Sequence, residues 1–101
     1  MKSLIATTQY RLGAAELEVL LAMVRTGTLA AAGERLGVDA STVFRAIQRI
    51  ERGLGQSLFE RSRAGYRASE LAQALAEQAE RVEAALEAAR TATQAQPEQI
   101  T

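Results

Sequence analysis

The chain has 101 residues, with 12 Lys+Arg against 12 Asp+Glu and neither His nor Cys. That length supports one domain, alone or with an extension, and the missing His and Cys remove disulfides, thiol nucleophiles, zinc centres and imidazole acid–base chemistry together. No run approaches the ~18 apolar residues of a membrane-spanning helix, and the N-terminus lacks a secretory signal pattern, so a cytoplasmic, non-catalytic domain without cofactor or metal is expected.

The charge balance is an average over two unlike halves. Residues 1–67 hold ten basic side chains (Lys2, Arg11, Arg25, Arg35, Arg45, Arg49, Arg52, Arg61, Arg63, Arg67) against six acidic ones (Glu16, Glu18, Glu34, Asp39, Glu51, Glu60), a net +4. Residues 68–101 hold Arg81 and Arg90 against Glu70, Glu77, Glu80, Glu83, Glu87 and Glu98, a net −4. A basic half beside an acidic one points to an anionic partner for the first.

In chain order, residues 1–13 show no clear periodicity and read as a loose arm, ended by Gly13. From Ala14 to Arg25, Leu17, Leu20, Leu21 and Val24 recur at helical spacing, with Glu16 and Glu18 outside the stripe. Thr28 is placed to cap a second helix, Leu29 to Leu36, which Gly37 stops. Asp39 is placed to cap a third helix over 40–53. Val43, Ala46, Ile47, Ile50 and Leu54 share its inner face, and Ser41, Thr42, Arg45, Gln48, Arg49 and Arg52 share the opposite one. Gly53 and Gly55 then bracket a turn. A short hairpin follows over 56–69, with a small basic tip at Ser62-Arg63-Ala64-Gly65.

Ser69 opens a last helix over 69–93, with no Gly or Pro before Pro97. Ala72, Leu75, Ala79, Val82, Leu86, Ala89 and Thr93 step three and four residues alternately, a heptad seam. Such a helix spans roughly 37 Å. It suits either packing back onto its own head or pairing with a second copy, and its length and Ala content favour the second. Leu75, Ala79, Val82, Leu86 and Ala89 are then the expected dimer contacts. Residues 94–101 read as a frayed, disordered tail.

Two short helices joined by Leu36-Gly37-Val38-Asp39, with Ala32 and Gly33 small at the crossing, form a helix-turn-helix candidate. A basic outer face on its second helix and a basic hairpin behind it point to duplex DNA. Ser41 and Thr42 are short enough for close approach, Arg45 has the fork that fits guanine O6/N7, and Gln48 shares their face. Arg49 and Arg52 lie further along, towards phosphate. Thr28, Arg61, Arg63 and Arg67 flank the helix as backbone or minor-groove contacts. Phe44 lies about 100° from Val43, at the edge of the buried face. Packing against the wing or the first helix is one role for it, and contact with a thymine methyl is the other.

The run Gly27-Thr28-Leu29-Ala30-Ala31-Ala32-Gly33-Glu34-Arg35-Leu36-Gly37-Val38, then Ser41-Thr42-Val43-Phe44-Arg45-Ala46-Ile47, Ile50-Glu51, Leu54-Gly55 and Leu58-Phe59-Glu60-Arg61, resembles the N-terminal DNA-binding domain of LysR-type transcriptional regulators over about residues 14–93. The resemblance implies a mainly α fold. A winged helix-turn-helix over 14–68 would have three helices and a short β-hairpin wing, followed by a linker helix over 69–93 that pairs in a homodimer. It also implies promoter DNA as the partner, Arg45 as the recognition-helix arginine, Ser41 and Thr42 at that helix's contacting start, Arg61 as the wing arginine, and Arg63 and Arg67 as basic wing positions. Ala40 and Ser41 replace the usual Gln-Pro, which removes an adenine-reading Gln, and Phe44 replaces the usual Ser or Thr. Ser69-Glu70-Leu71-Ala72 matches the usual Thr-Glu-Ala-Gly only loosely. Family members normally continue into an effector-sensing domain, so this chain is expected to be the DNA-reading piece of such a regulator. The rival expectation is a winged-helix protein-interaction module without specific DNA binding. An enzyme is not expected, since Glu34, Asp39 and Glu51 form no paired-carboxylate pattern and no phosphate-cradling Gly loop is present.

Overall fold

Local caps and left-handed glycines set most element boundaries. The structure, a computed structural model, describes residues 10–95. Its elements are α1 (Ala14–Thr26), α2 (Leu29–Leu36), α3 (Ala40–Leu54), β1 (Phe59–Ser62), β2 (Gly65–Ala68) and α4 (Glu70–Ala95). This is the three-helix head with a hairpin wing and a long final helix that the sequence implies. The first nine residues of the expected arm, and the expected tail from residue 96 on, lie outside the described residues.

The N-termini of three helices are closed by side chains. The Glu16 carboxylate accepts the Gly13 N–H at 2.8 Å, Thr28 Oγ1 accepts the Ala31 N–H at 3.1 Å, and Ser69 Oγ accepts the Ala72 N–H at 3.0 Å. Each satisfies a backbone donor that the helix leaves unpaired. Asp39 differs from expectation: it holds the N-cap position of α3, but its side chain makes no capping bond. Its backbone carbonyl accepts the Thr42 and Val43 N–H groups instead, at 3.0 and 3.2 Å.

The turn between α2 and α3 depends on Gly33. A Cβ there would stand 2.6 Å from the Val38 carbonyl oxygen, and the Val38 N–H donates to the Gly33 carbonyl at 2.9 Å. The helices therefore meet at backbone distance, as the small residues at this crossing imply.

Some boundaries move. Helix α4 runs to Ala95, so residues 94 and 95 of the expected tail are helical. Helix α3 runs through Gly53 and ends at Leu54, where Gly55 takes a left-handed φ of 72° and donates its N–H to Glu51. Gly53 is thus a helical residue rather than one side of a turn. Strand β1 starts at Phe59, later than the expected wing start at 56. The Glu51 carboxylate explains the delay. One of its oxygens accepts the N–H of Leu58 at 2.7 Å and of Phe59 at 3.2 Å, and the Leu58 carbonyl accepts the Ser69 N–H at 2.9 Å. The connector has its polar groups satisfied without joining the ladder.

The core gathers Leu20, Met23, Ala32, Val43, Ile47, Ile50, Leu58, Phe59 and Ala72, with Leu12 of the arm packed against it. A second cluster joins Leu21 to Ala76 and Ala79. Four consecutive residues of α1, Leu20 to Met23, are buried, so α1 is covered on more than the one face its Leu/Val stripe marks. Ala22 and Met23 enter the cluster shared with α2, α3 and the wing, while the first half of α4 covers Leu21. This divides the heptad seam. Ala72 and Ala79 face their own head, and Ala79 is only 3% exposed, which leaves it no surface for a second copy. Leu75 is half-buried against the same head, so the head takes part of its surface. Val82 is half-buried, and Leu86 and Ala89 are exposed.

Glu51→Ala is expected to destabilise the fold by about 1–3 kcal/mol, because two N–H groups lose a charged acceptor. Glu51→Gln, which keeps an acceptor oxygen, is expected to recover most of that loss in a urea titration.

Candidate nucleic-acid interface

Burial of Val43, Ile47 and Ile50 fixes the rotation of α3. That rotation exposes Ser41, Thr42, Arg45, Gln48, Arg49 and Arg52, every residue assigned to its outer face. The ion pairs among the described residues leave Arg45, Arg49, Arg52, Arg61 and Arg63 uncommitted. Five guanidinium groups therefore remain open to an external anion on two adjacent elements.

The wing is tied to the head at its base. Its strands pair antiparallel, with Arg61 opposite Tyr66 and Glu60 opposite Arg67. The Tyr66 N–H also donates to the Gly27 carbonyl at 2.8 Å. A Cβ on Gly65, whose φ is +137°, would overlap that same carbonyl, so glycine is required for the close approach. The Arg61 guanidinium lies over the Tyr66 ring at 5.8 Å, which holds it on the wing face. Arg67 is the one assigned wing arginine with an internal partner, Glu60 at 3.9 Å, and both are exposed. Thr28 has its hydroxyl oxygen engaged in the α2 cap, leaving the hydroxyl proton to donate outward.

Three residues matter here that sequence reasoning did not assign. Glu51 holds the base of the wing, and nothing local marked it. Arg25 reaches Glu83 at 3.3 Å and Glu80 at 3.5 Å, linking α1 to α4. Tyr10 lays its ring against Gly53 so closely that a Cβ there would overlap it. Tyr10 is thereby seated on the C-terminal end of α3. A glycine inside a helix costs about 1 kcal/mol relative to Ala, and that cost was the available signal.

Residues 14–73 match the family described as bacterial regulatory helix-turn-helix protein, lysR family. The chain belongs to the LysR family. No curated protein sequence matches it. Among solved structures, it is similar to the CbnR DBD in a DNA complex, at 28% identity and a TM-score of 0.70, covering 83% of this chain and 97% of that one. It is similar in fold to full-length OxyR C199D from Pseudomonas aeruginosa, at 24% identity and 0.73, covering 86% of this chain and 30% of that one. A third likeness of fold is to the BenM DBD in a complex with benA site 1 DNA, at 19% identity and 0.72, covering 82% and 93%. The chain thus spans nearly all of the separate DBD structures and about 30% of the full-length OxyR chain. Tyr10 lies outside the matched LysR segment, and its partner Gly53 lies inside it.

Burial raises the Tyr10 pKa above its ordinary value, Glu16 raises it further, and Arg49 opposes both. The fold therefore favours the neutral phenol. That contribution is complete below the ordinary tyrosine range and is lost as pH rises through the raised folded value. Gly53→Ala is expected to displace the ring and return Tyr10 to ordinary titration in phenolate absorbance. Stability should change by no more than about 1 kcal/mol, since the gain in helix propensity offsets the lost contact.

Proposed function

We propose that this chain is the DNA-reading head of a LysR-type bacterial transcription regulator, binding promoter duplex sequence-specifically as a homodimer. The observation that carries the reading is the outer face of α3. It holds exposed Ser41, Thr42, Arg45 and Gln48, with Arg45 free of any partner among the described residues. In the second helix of a helix-turn-helix, that face enters the major groove. Arg45 supplies the guanine fork, Arg49 and Arg52 meet phosphate, and Arg61, Arg63 and Arg67 contact the flanking backbone or minor groove, with Thr28 at the edge. The 28% identity to CbnR, whose DBD is solved with DNA, supports the same role. The reading makes the chain non-catalytic and without cofactor. It also places the chain in the cytoplasm with the chromosome. No helix among the described residues is long and apolar enough to cross a membrane. Effector sensing belongs to a further domain of such regulators.

The dimer reading rests on the second half of α4. An apolar groove of about 390 Å³ lies between α1 and α4, lined by Ala14, Leu17, Leu21, Val82 and Leu86 among others. Leu86 beside it is 46% exposed. Of the expected seam positions, Val82, Leu86 and Ala89 keep the most surface for a second copy, Leu75 keeps part of its own, and Ala79 is buried against the head.

Arg45→Ala is expected to relax base preference at one position and cost about 1–3 kcal/mol. Arg63→Ala should instead weaken all duplexes alike and reduce the salt slope by about 1. Selection from a random duplex pool, with titrations at several salt concentrations, separates the two. If neither substitution changes binding to the chain's partner, the protein-interaction reading replaces this one.

Leu86→Glu is expected to yield monomers in sedimentation without unfolding the head, and to weaken DNA binding strongly. An unchanged dimer mass would place the pairing surface elsewhere.

A further inference from the structure

The recognition face contains one residue that phosphate or guanine chemistry does not explain. Phe44 is 41% exposed, an unusual state for a large aromatic beside three exposed polar side chains. Ser41, Phe44, Arg45 and Gln48 follow one another at i, i+3, i+4 and i+7, so all four lie on adjoining rows of α3. Phe44 occupies the border of that face nearest the wing. There it lines a cleft of about 140 Å³ with Leu29, Ile47, Phe59 and Tyr66. The ring borders this cleft, whose lining also includes Gln48 and Glu51, while much of the residue remains in solvent. A ring that served packing alone would gain more by turning fully into the cleft.

We propose that Phe44 is a specificity-determining residue that reads the C5-methyl group of a thymine near the base pair contacted by Arg45. This rests on the DNA-reading role proposed above. The major groove displays one apolar group, the thymine methyl, and an apolar side chain is its complement. Phe44 and Arg45 are 1.5 Å apart along the helix axis and about 100° apart around it, so their contacts fall on different positions of one half-site within a short span of the groove. Together they describe a half-site that pairs a guanine with a nearby thymine, one recognised by its hydrogen-bonding edge and the other by its methyl.

The test uses the full chain and the duplex it selects from a random pool. Each thymine of that duplex is replaced singly by deoxyuridine, which pairs identically and lacks only the methyl. One position in each half-site is expected to lose about fourfold in affinity, the equivalent of ~0.8 kcal/mol for a buried methyl-sized group. In Phe44→Ser the same replacement should change nothing, and in Phe44→Leu it should keep part of its effect, giving a coupling between the methyl and the ring. Thermal melts of both variants show that they are folded. Binding in which no thymine responds to uracil overturns this proposal alone. So does a uracil effect that persists undiminished in Phe44→Ser, which would leave the ring a packing role. Failure of the unaltered dimer to retain any duplex at low salt overturns the DNA-reading role, and this one with it.

Discussion

Helix α1 is buried from two sides, and the rest of the molecule is arranged around that constraint. Leu20 and Met23 face the cluster that α3 and the wing share, while Leu21 faces Ala76 and Ala79 of α4. Fully burying a Leu or Met contributes about 1.5–3 kcal/mol, so this short helix carries much of the head's cohesion and, beside the Ala72 contact with the main core, much of its attachment to α4. The Arg25 contacts to Glu80 and Glu83 lie on the same seam but are substantially exposed. Exposed pairs of that kind contribute at most about 1 kcal/mol. The direction of α4 relative to α3 is therefore set by close-packed apolar side chains, with the ion pairs as a supplement. In a dimer built through α4, the same packing fixes how far apart two recognition helices stand.

The distribution of charge follows from this division of labour. The acidic excess is carried by α4, where some carboxylates meet Arg25 or Arg90 and none forms an ion pair with α3 among the described residues. The head keeps its arginines on α3 and the wing, with Arg45, Arg49, Arg52, Arg61 and Arg63 outside any ion pair among the described residues. A neutral chain thus presents a positive face because its compensating charges lie on a different element.

The wing shows how a two-stranded ribbon, marginal by itself, becomes a fixed part of the head. Glu51 holds its first strand, the Gly27 carbonyl holds its second, and Phe59 and Leu58 enter the core. These attachments also form one wall of the cleft beside Phe44. The side chains that make the wing rigid are thus the ones that keep the Phe44 ring at the edge of the recognition face.

Helix limits, the α2–α3 turn, the hairpin and the polar face of α3 were legible in the sequence. They rest on short-range physics: caps, left-handed glycines and periodicity act within a few residues of themselves. The candidate DNA-reading residues of α3 were legible for the same reason, since Val43, Ile47 and Ile50 dictate which side chains point away. Other features depended on which elements meet. Met23 is buried because α3 and the wing close over it, and Ala79 turns inward because α4 folds along α1. Gly53 stays helical because the Tyr10 ring occupies the space of its missing side chain, and Glu51 leaves the solvent because the wing offers it two N–H groups. A heptad seam states only that a helix has an apolar side. Whether that side meets its own domain or a second copy is decided by the partner surface, and here the tertiary structure gives the first half of α4 to the head and leaves the second half open.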